Sequence, residues 1–276
     1  MSATSQQPAA PQRRDVIVRA LDRALVAQRP AARAFARRLR RAAPDATPDD
    51  LLLATEKWFR RTAMGAGGSV GAASAIPGIG TVSGLALVTA EVVSFLDLSA
   101  LYALTVAEIH GDATDDPERA RALVMGILLG ERGRKLVLEF VRSRAPQTFF
   151  KTTAWGSLVT EALPQAFIGD LGQRLSATFL SKFASSHIGG FVGKLLPFGI
   201  GAAVGALGNR VLANDVIRAA STAFGDAPTT FSGDLSNDTL AGIDAASPRF
   251  QKRQQRAERK LARATRRAEL PAASRD

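Results

Sequence analysis

The stretch "GAGGSVGAASAIPGIGTVSGLALVTA", Gly65–Ala90, constrains the fold more than any other part of the chain. It carries no charge and is mostly glycine, alanine and serine. Side chains this small give little surface to bury, so the segment is stable only where backbones pack closely against each other. Pro77-Gly78 and Gly80 break it. This predicts a turn near 77–80 between two helical arms.

The second arm runs on as "VSGLALVTAEVVSFLDLSALYALTVAEIHG" and ends near Gly111. "GGFVGKLLPFGIGAAVG", residues 189–205, repeats the texture of 67–84: GG-x-V-G, a proline, an I-G pair, then a glycine four residues on. Two similar apolar helical hairpins are expected, one in each half. Four glycine pairs sit four residues apart: Gly67/Gly71, Gly80/Gly84, Gly189/Gly193 and Gly201/Gly205. On a helix each pair clears one face for a close neighbour, in a soluble core or against lipid.

The rest of the chain also reads as helix. "TPDDLLLATEKWFRRTA" opens with a capping Thr47, Pro48 at the first helical position, and Asp49 and Asp50 at the positive end of the dipole. Asp116-Pro117 starts another helix in the same way. Breaks are expected at Pro30, Pro164 and Gly169. No segment alternates like a strand, so the fold class is all-α: a multi-helix bundle with two Gly/Pro-rich apolar hairpins. The expected organisation is a disordered lead-in over 1–14, basic amphipathic helices over 15–46, a helical domain over 47–226, a linker over 227–248 and a basic helical tail over 249–276.

Charge is unevenly placed. Residues 10–41 hold ten Arg against Asp15 and Asp22, and residues 248–276 hold ten Lys or Arg against three acids. The net charge is +11, so the middle of the chain is net acidic and the basic character belongs to the ends. Basic ends suit an anionic lipid surface, where each Lys or Arg adds about 1 kcal/mol. They lack the interleaved aromatics that would stack on bases, which ranks lipid above nucleic acid as a partner. A protein partner or a second copy of the chain is the other expectation. With no cysteine there are no disulfides or thiolate metal sites. The start of the sequence lacks the apolar stretch of a secretory signal, so a cytoplasmic setting is expected, including the inner face of the cell membrane.

Catalytic motifs fail on context. Gly67-Gly68-Ser69-Val70-Gly71 fits the G-x-S-x-G pattern, but the elbow needs a strand before it, and the preceding residues read as helix. A serine hydrolase built on Ser69 therefore ranks last. "PGIGTVSG" has the wrong glycine spacing for a dinucleotide, and "GGFVGKLL" lacks the rest of a phosphate loop. The two histidines, His110 and His187, have no neighbouring ligands, so no metal or cofactor is expected. Spanning a bilayer takes about 20 apolar residues in one helix. Pro77-Gly78 splits the first hairpin, Lys194 and Pro197 interrupt the second, and Glu91 and Asp97 lie in the long helix. Those two acids are expected to be buried and paired with arginines or helix ends, with a ligand role as the sharper alternative.

"GSVGAASAIPGIGTVSGLALVTAEVVSFLDLSALYALTVAEIHG", followed by "DATDDPERARALVMGILLG", resembles the EcsC family of bacterial proteins. "LLPFGIGAAVGALGNRVLANDVIRAASTAF" is similar to that family's second proline-glycine hairpin and closing helix. The resemblance covers roughly residues 50–224. His110 stands where the family pattern has an aromatic residue. The resemblance implies a helical, membrane-peripheral bacterial protein of unknown biochemical activity, and it brings no catalytic residues with it.

Overall fold

A computed structural model describes residues 28–73, 82–112, 115–144, 154–187 and 200–246, with side chains over 28–65, 93–112, 115–144, 154–181 and 207–243. The fold is all-α, and no strand occurs among the described residues. Helix α1 covers 28–42. It is followed by α2 (Pro48–Ala73), α3 (Val82–His110), α4 (Pro117–Leu129), α5 (Glu131–Arg144), the single turn α6 (Trp155–Ser157) leading into a π-helical turn (Leu158–Ala162), α7 (Gln165–His187), α8 (Ile200–Phe224), a 3₁₀ turn (Gly233–Leu235) and α9 (Asn237–Ala246).

Local chemistry explains the helix boundaries. At the start of α2, the Asp50 N–H donates to Thr47 Oγ1 at 3.2 Å, while the Thr47 N–H donates back to the Asp50 carboxylate at 3.0 Å. This reciprocal cap satisfies two donors that a helix start leaves open. It also holds the Asp50 carboxyl below its ordinary pKa. At the start of α4, the Asp116 carboxylate accepts from the N–H groups of Glu118 and Arg119, and Pro117 takes the first helical position. Helix α3 ends in a tight wrap. The Asp112 N–H reaches back to the Ala107 carbonyl at 3.0 Å, and Gly111 takes φ +81°. Only glycine takes that conformation cheaply. A Cβ at Gly111 would also strike Ser232 Oγ.

The core is built around α4. Ala120, Ala122, Leu123, Val124, Met125, Ile127 and Leu129 are all buried, so the helix is apolar on every side. Helix α5 approaches it where Gly126 and Gly133 meet. A Cβ on Gly133 would lie 2.1 Å from the Gly126 carbonyl oxygen. Phe59 of α2 stacks on Tyr102 of α3, with centroids 4.5 Å apart. Burial pushes the Tyr102 hydroxyl well above the usual phenol range, keeping it neutral. Arg119 braces the π-turn, donating to the Val159 carbonyl at 2.9 Å and the Leu163 carbonyl at 2.6 Å.

Four expectations are corrected. The described part of 15–46 is no separate basic unit, because Ala32 and Ala36 of α1 are fully buried in the domain. Within it, Pro30 lies inside the described helical residues and does not break them. Gly169 lies inside α7 rather than breaking it. The span 227–246 is not a linker: it forms the 3₁₀ turn and α9, and Leu235 is buried against Ala36, Leu51 and Ile109.

Candidate functional site

Helices α2 and α8 make the most extensive helix pair in the molecule. Two side-chain contacts fix its direction. Arg60 Nε donates to Asn214 Oδ1 at 2.9 Å, and Asn209 Nδ2 donates to the Ala63 carbonyl at 3.1 Å. Partner numbers fall as α2 numbers rise, so the two helices are antiparallel. Continuing that register brings helix positions Gly67 and Gly71 level with Gly205 and Gly201. Helix α3 runs antiparallel to α2: Leu51 packs in one cluster with Ile109, while Phe59, farther along α2, meets the earlier residues Tyr102 and Phe95. Helix α7 begins beside α4, where Arg119 Nε donates to Gln165 Oε1 at 3.2 Å. It is 23 residues long.

These directions bring the end of α2, the start of α3 and the start of α8 to one end of the bundle. The connector 74–81 follows α2 and 188–199 precedes α8 in the sequence, and both lie outside the described residues. Gly84 lies in α3, and Gly67, Gly71, Gly201 and Gly205 lie within helices. Pro77, Gly78, Gly80, Gly189, Gly193 and Pro197 lie outside the described residues. The sequence has no Asp or Glu over 57–90 or 171–214. The nearest acid along α3 is Glu91, whose side chain lies outside the described set.

Three of the four exposed large apolar side chains among the described residues lie on α8 next to this end. Leu207, Val211 and Leu212 of α8 are 58%, 59% and 49% exposed. Leu53 is the other large exposed apolar side chain among the described residues, and it lies apart on α2. Sequence analysis singled out the glycines of α8 and missed these three leucine and valine positions. Their signal was the spacing of Ile200, Val204, Leu207 and Val211, three to four residues apart.

The opposite end is acidic and closed by arginines. Glu108, Asp115 and Asp234 meet α1 there. Arg29 pairs with Asp115 at 3.3 Å. Arg33 pairs with Asp115 at 2.9 Å, Asp234 at 3.0 Å and Glu108 at 3.3 Å. Arg37 pairs with Asp234 at 2.7 Å. Arg40 is buried; it donates to the carbonyls of Ala43 and Pro44 and to Asn237 Oδ1, and lies over the Phe231 ring. Burial raises the Glu108 pKa, and Arg33 opposes it. The hydrogen bond from Arg33 lowers the Asp115 pKa. The i, i+4 spacing of Arg29, Arg33 and Arg37 could have revealed one buried cationic stripe, but not its partners.

Of the two acids singled out on α3, only Asp97 has a described side chain. Asp97 is half-buried and accepts from Gln28 Nε2 at 2.7 Å, so an amide rather than an arginine satisfies it. Ser69 lies within helical residues of α2, not on a strand-to-helix turn. His110 sits at the far end of α3, stacked on Phe224, with Nδ1 2.9 Å from the Val106 carbonyl. Burial lowers its pKa. By helical rise, that is about 30 Å from the level of Ser69. Ser157 Oγ donates to the Asp112 carboxylate at 2.6 Å, not to His110. No cluster of metal-ligating side chains occurs among the described residues.

Part of α3, Val93–His110, is long and apolar enough to cross a membrane by length and composition alone. More than half of it is buried inside the protein, as in the core helix of a bundle. No protein-family model, curated protein or solved structure matches the chain.

Proposed function

We propose that the chain is a non-enzymatic, EcsC-like helical protein that binds peripherally to an anionic membrane on its cytoplasmic face, glycine-rich end first. One observation carries the reading: the end of α2 and the start of α8 lie level in an antiparallel pair, and the chain running through that end contains no carboxylate over 57–90 or 171–214. An anionic surface repels carboxylates and attracts Lys and Arg, so such an end approaches it without electrostatic cost. Peripheral binding suits it better than spanning, because Pro77-Gly78, Lys194 and Pro197 interrupt the glycine-rich segments and the one apolar helix stretch of sufficient length among the described residues, Val93–His110, is more than half buried in the protein.

The sequence alone assigned lipid contact to both arginine-rich ends. Arg29, Arg33, Arg37 and Arg40 have internal partners instead. The lipid-directed charge in this reading comes from the arginines of 13–23, the basic residues of 249–276, and Lys182, Lys194 and Arg210. The non-enzymatic part rests on the separation of Ser69 from His110. The resemblance to EcsC proteins rests on the order of the glycine hairpin, the Asp116-Pro117-Glu118-Arg119 run and the second hairpin.

Vesicle flotation tests the proposal. The protein should rise with vesicles rich in anionic lipid at low salt, stay behind with zwitterionic vesicles, and release as salt screens the charge. No flotation with anionic vesicles at low salt removes the membrane reading. A soluble, protein-binding helical module is then the reading that remains.

A further inference from the structure

We infer that the exposed face of the first half of α8, centred on Leu207 and Val211 with Arg210 beside them, is the surface that enters the lipid headgroup layer. This rests on the membrane reading above and names the residues that carry it.

The solvent face of α8 changes character along its length. Asn209, Ala213, Val216, Ile217 and Ala220 point into the protein. On the opposite face, Leu207 and Val211 are followed by Asp215, Arg218 and Thr222, which are exposed and polar. A helix on a soluble protein keeps polar residues on its outer face throughout. Among the described residues that rule holds over 215–222 and fails over 207–212. Single exposed leucines are common on soluble proteins, and Leu53 is such a case. Leu207, Val211 and Leu212 lie within six residues of one helix.

Two features favour lipid over a second copy of the chain. Arg210 is exposed and adjacent, with a long stem that can lie along apolar surface while its guanidinium reaches phosphate. The sequence has no acid over 171–214, and Asp215, the next acid along α8, already pairs with Arg218, so a second copy approaching this face would leave Arg210 against like charge. An anionic lipid surface supplies the missing negative charge.

The test uses full-length protein carrying Leu207→Asp with Val211→Asp, and a milder pair, Leu207→Gln with Val211→Gln. Circular dichroism checks the fold, size exclusion reads the oligomeric state, and flotation reads binding to vesicles of anionic and zwitterionic lipid. Each exposed position removed should weaken vesicle binding roughly tenfold, with the Asp pair losing more than the Gln pair. The folded state should be unchanged, because both residues face solvent. If the wild type floats and the folded variants float equally well, this surface is wrong while the membrane reading stands. If the wild type does not float, both fall. If the wild type is a dimer and the variants are monomers, the face serves self-association and the lipid assignment is overturned.

Discussion

The two ends of this bundle solve opposite problems. At one end, Glu108, Asp115 and Asp234 gather around the α1 arginines, and nearly every charge has a partner. At the other, the helices run out in glycine and alanine without a carboxylate, and Leu207, Val211 and Leu212 of α8 are exposed. Charges that pair inside the protein stabilise it and are withdrawn from any partner. Apolar side chains left outside contribute nothing to stability and are available for one. In the proposed membrane reading, the acidic end serves stability and the glycine-rich end serves binding.

Substitutions can break or sharpen that division. The largest effect expected lies between the ends, in the core. Gly133→Ala should destabilise by about 3 kcal/mol, since its Cβ meets the Gly126 backbone and neither helix can yield easily. Denaturant unfolding reads it, and a loss below about 0.5 kcal/mol would mean the α4–α5 contact is looser than described. Next comes the acidic end. Arg40→Ala leaves two backbone carbonyls and Asn237 without their donor and should cost about 2–3 kcal/mol, with vesicle binding of the folded fraction unchanged. A loss of binding without a loss of stability would reverse the division.

A smaller effect, of opposite sign, tests the other end. Gly65 sits within α2 with nothing near its missing Cβ, so Gly65→Ala should stabilise the fold by about 0.5–1 kcal/mol. Destabilisation would show a close neighbour there.

The smallest effect is the pH response of Glu108. Burial raises its folded pKa, so the folded state holds its proton more tightly than the unfolded chain does. The stability linked to that proton is fully present below the ordinary Glu pKa and is lost as pH rises through the raised value. Lowering the pH from neutral toward that range should therefore raise the melting temperature slightly, and Glu108→Gln should flatten the slope. Asp115 works in the opposite sense. Its lowered pKa means its contribution disappears only as pH falls below the usual Asp range. An unchanged slope in Glu108→Gln would remove Glu108 as the source.

The helices were legible in the sequence where local chemistry decides them. Thr47-Pro48, Asp116-Pro117 and Gly111 mark boundaries through caps and backbone conformation, and each helix begins or ends there. Gly169 misled because an isolated glycine lowers helix propensity without ending a helix that tertiary contacts support. The span 227–246 misled because its Ser, Thr, Asp and Gly look like a linker. A single buried Leu235 and the Arg37–Asp234 pair dock it, and both depend on α1, about 200 residues earlier. The same limit hid the acidic end. Spacing shows that Arg29, Arg33 and Arg37 share a face, but only the fold reveals what that face meets.

The division between the ends can be measured directly because the chain contains no cysteine. Val211→Cys and Asp238→Cys each give one labelling site, one on the apolar face of α8 and one exposed at the acidic end. An environment-sensitive fluorophore on each, with anionic vesicles containing bromine-labelled lipid as quencher, reports which end contacts the bilayer. The account predicts quenching and a blue shift at position 211 and neither at 238. Equal quenching at both sites, or quenching at 238 alone, would contradict it.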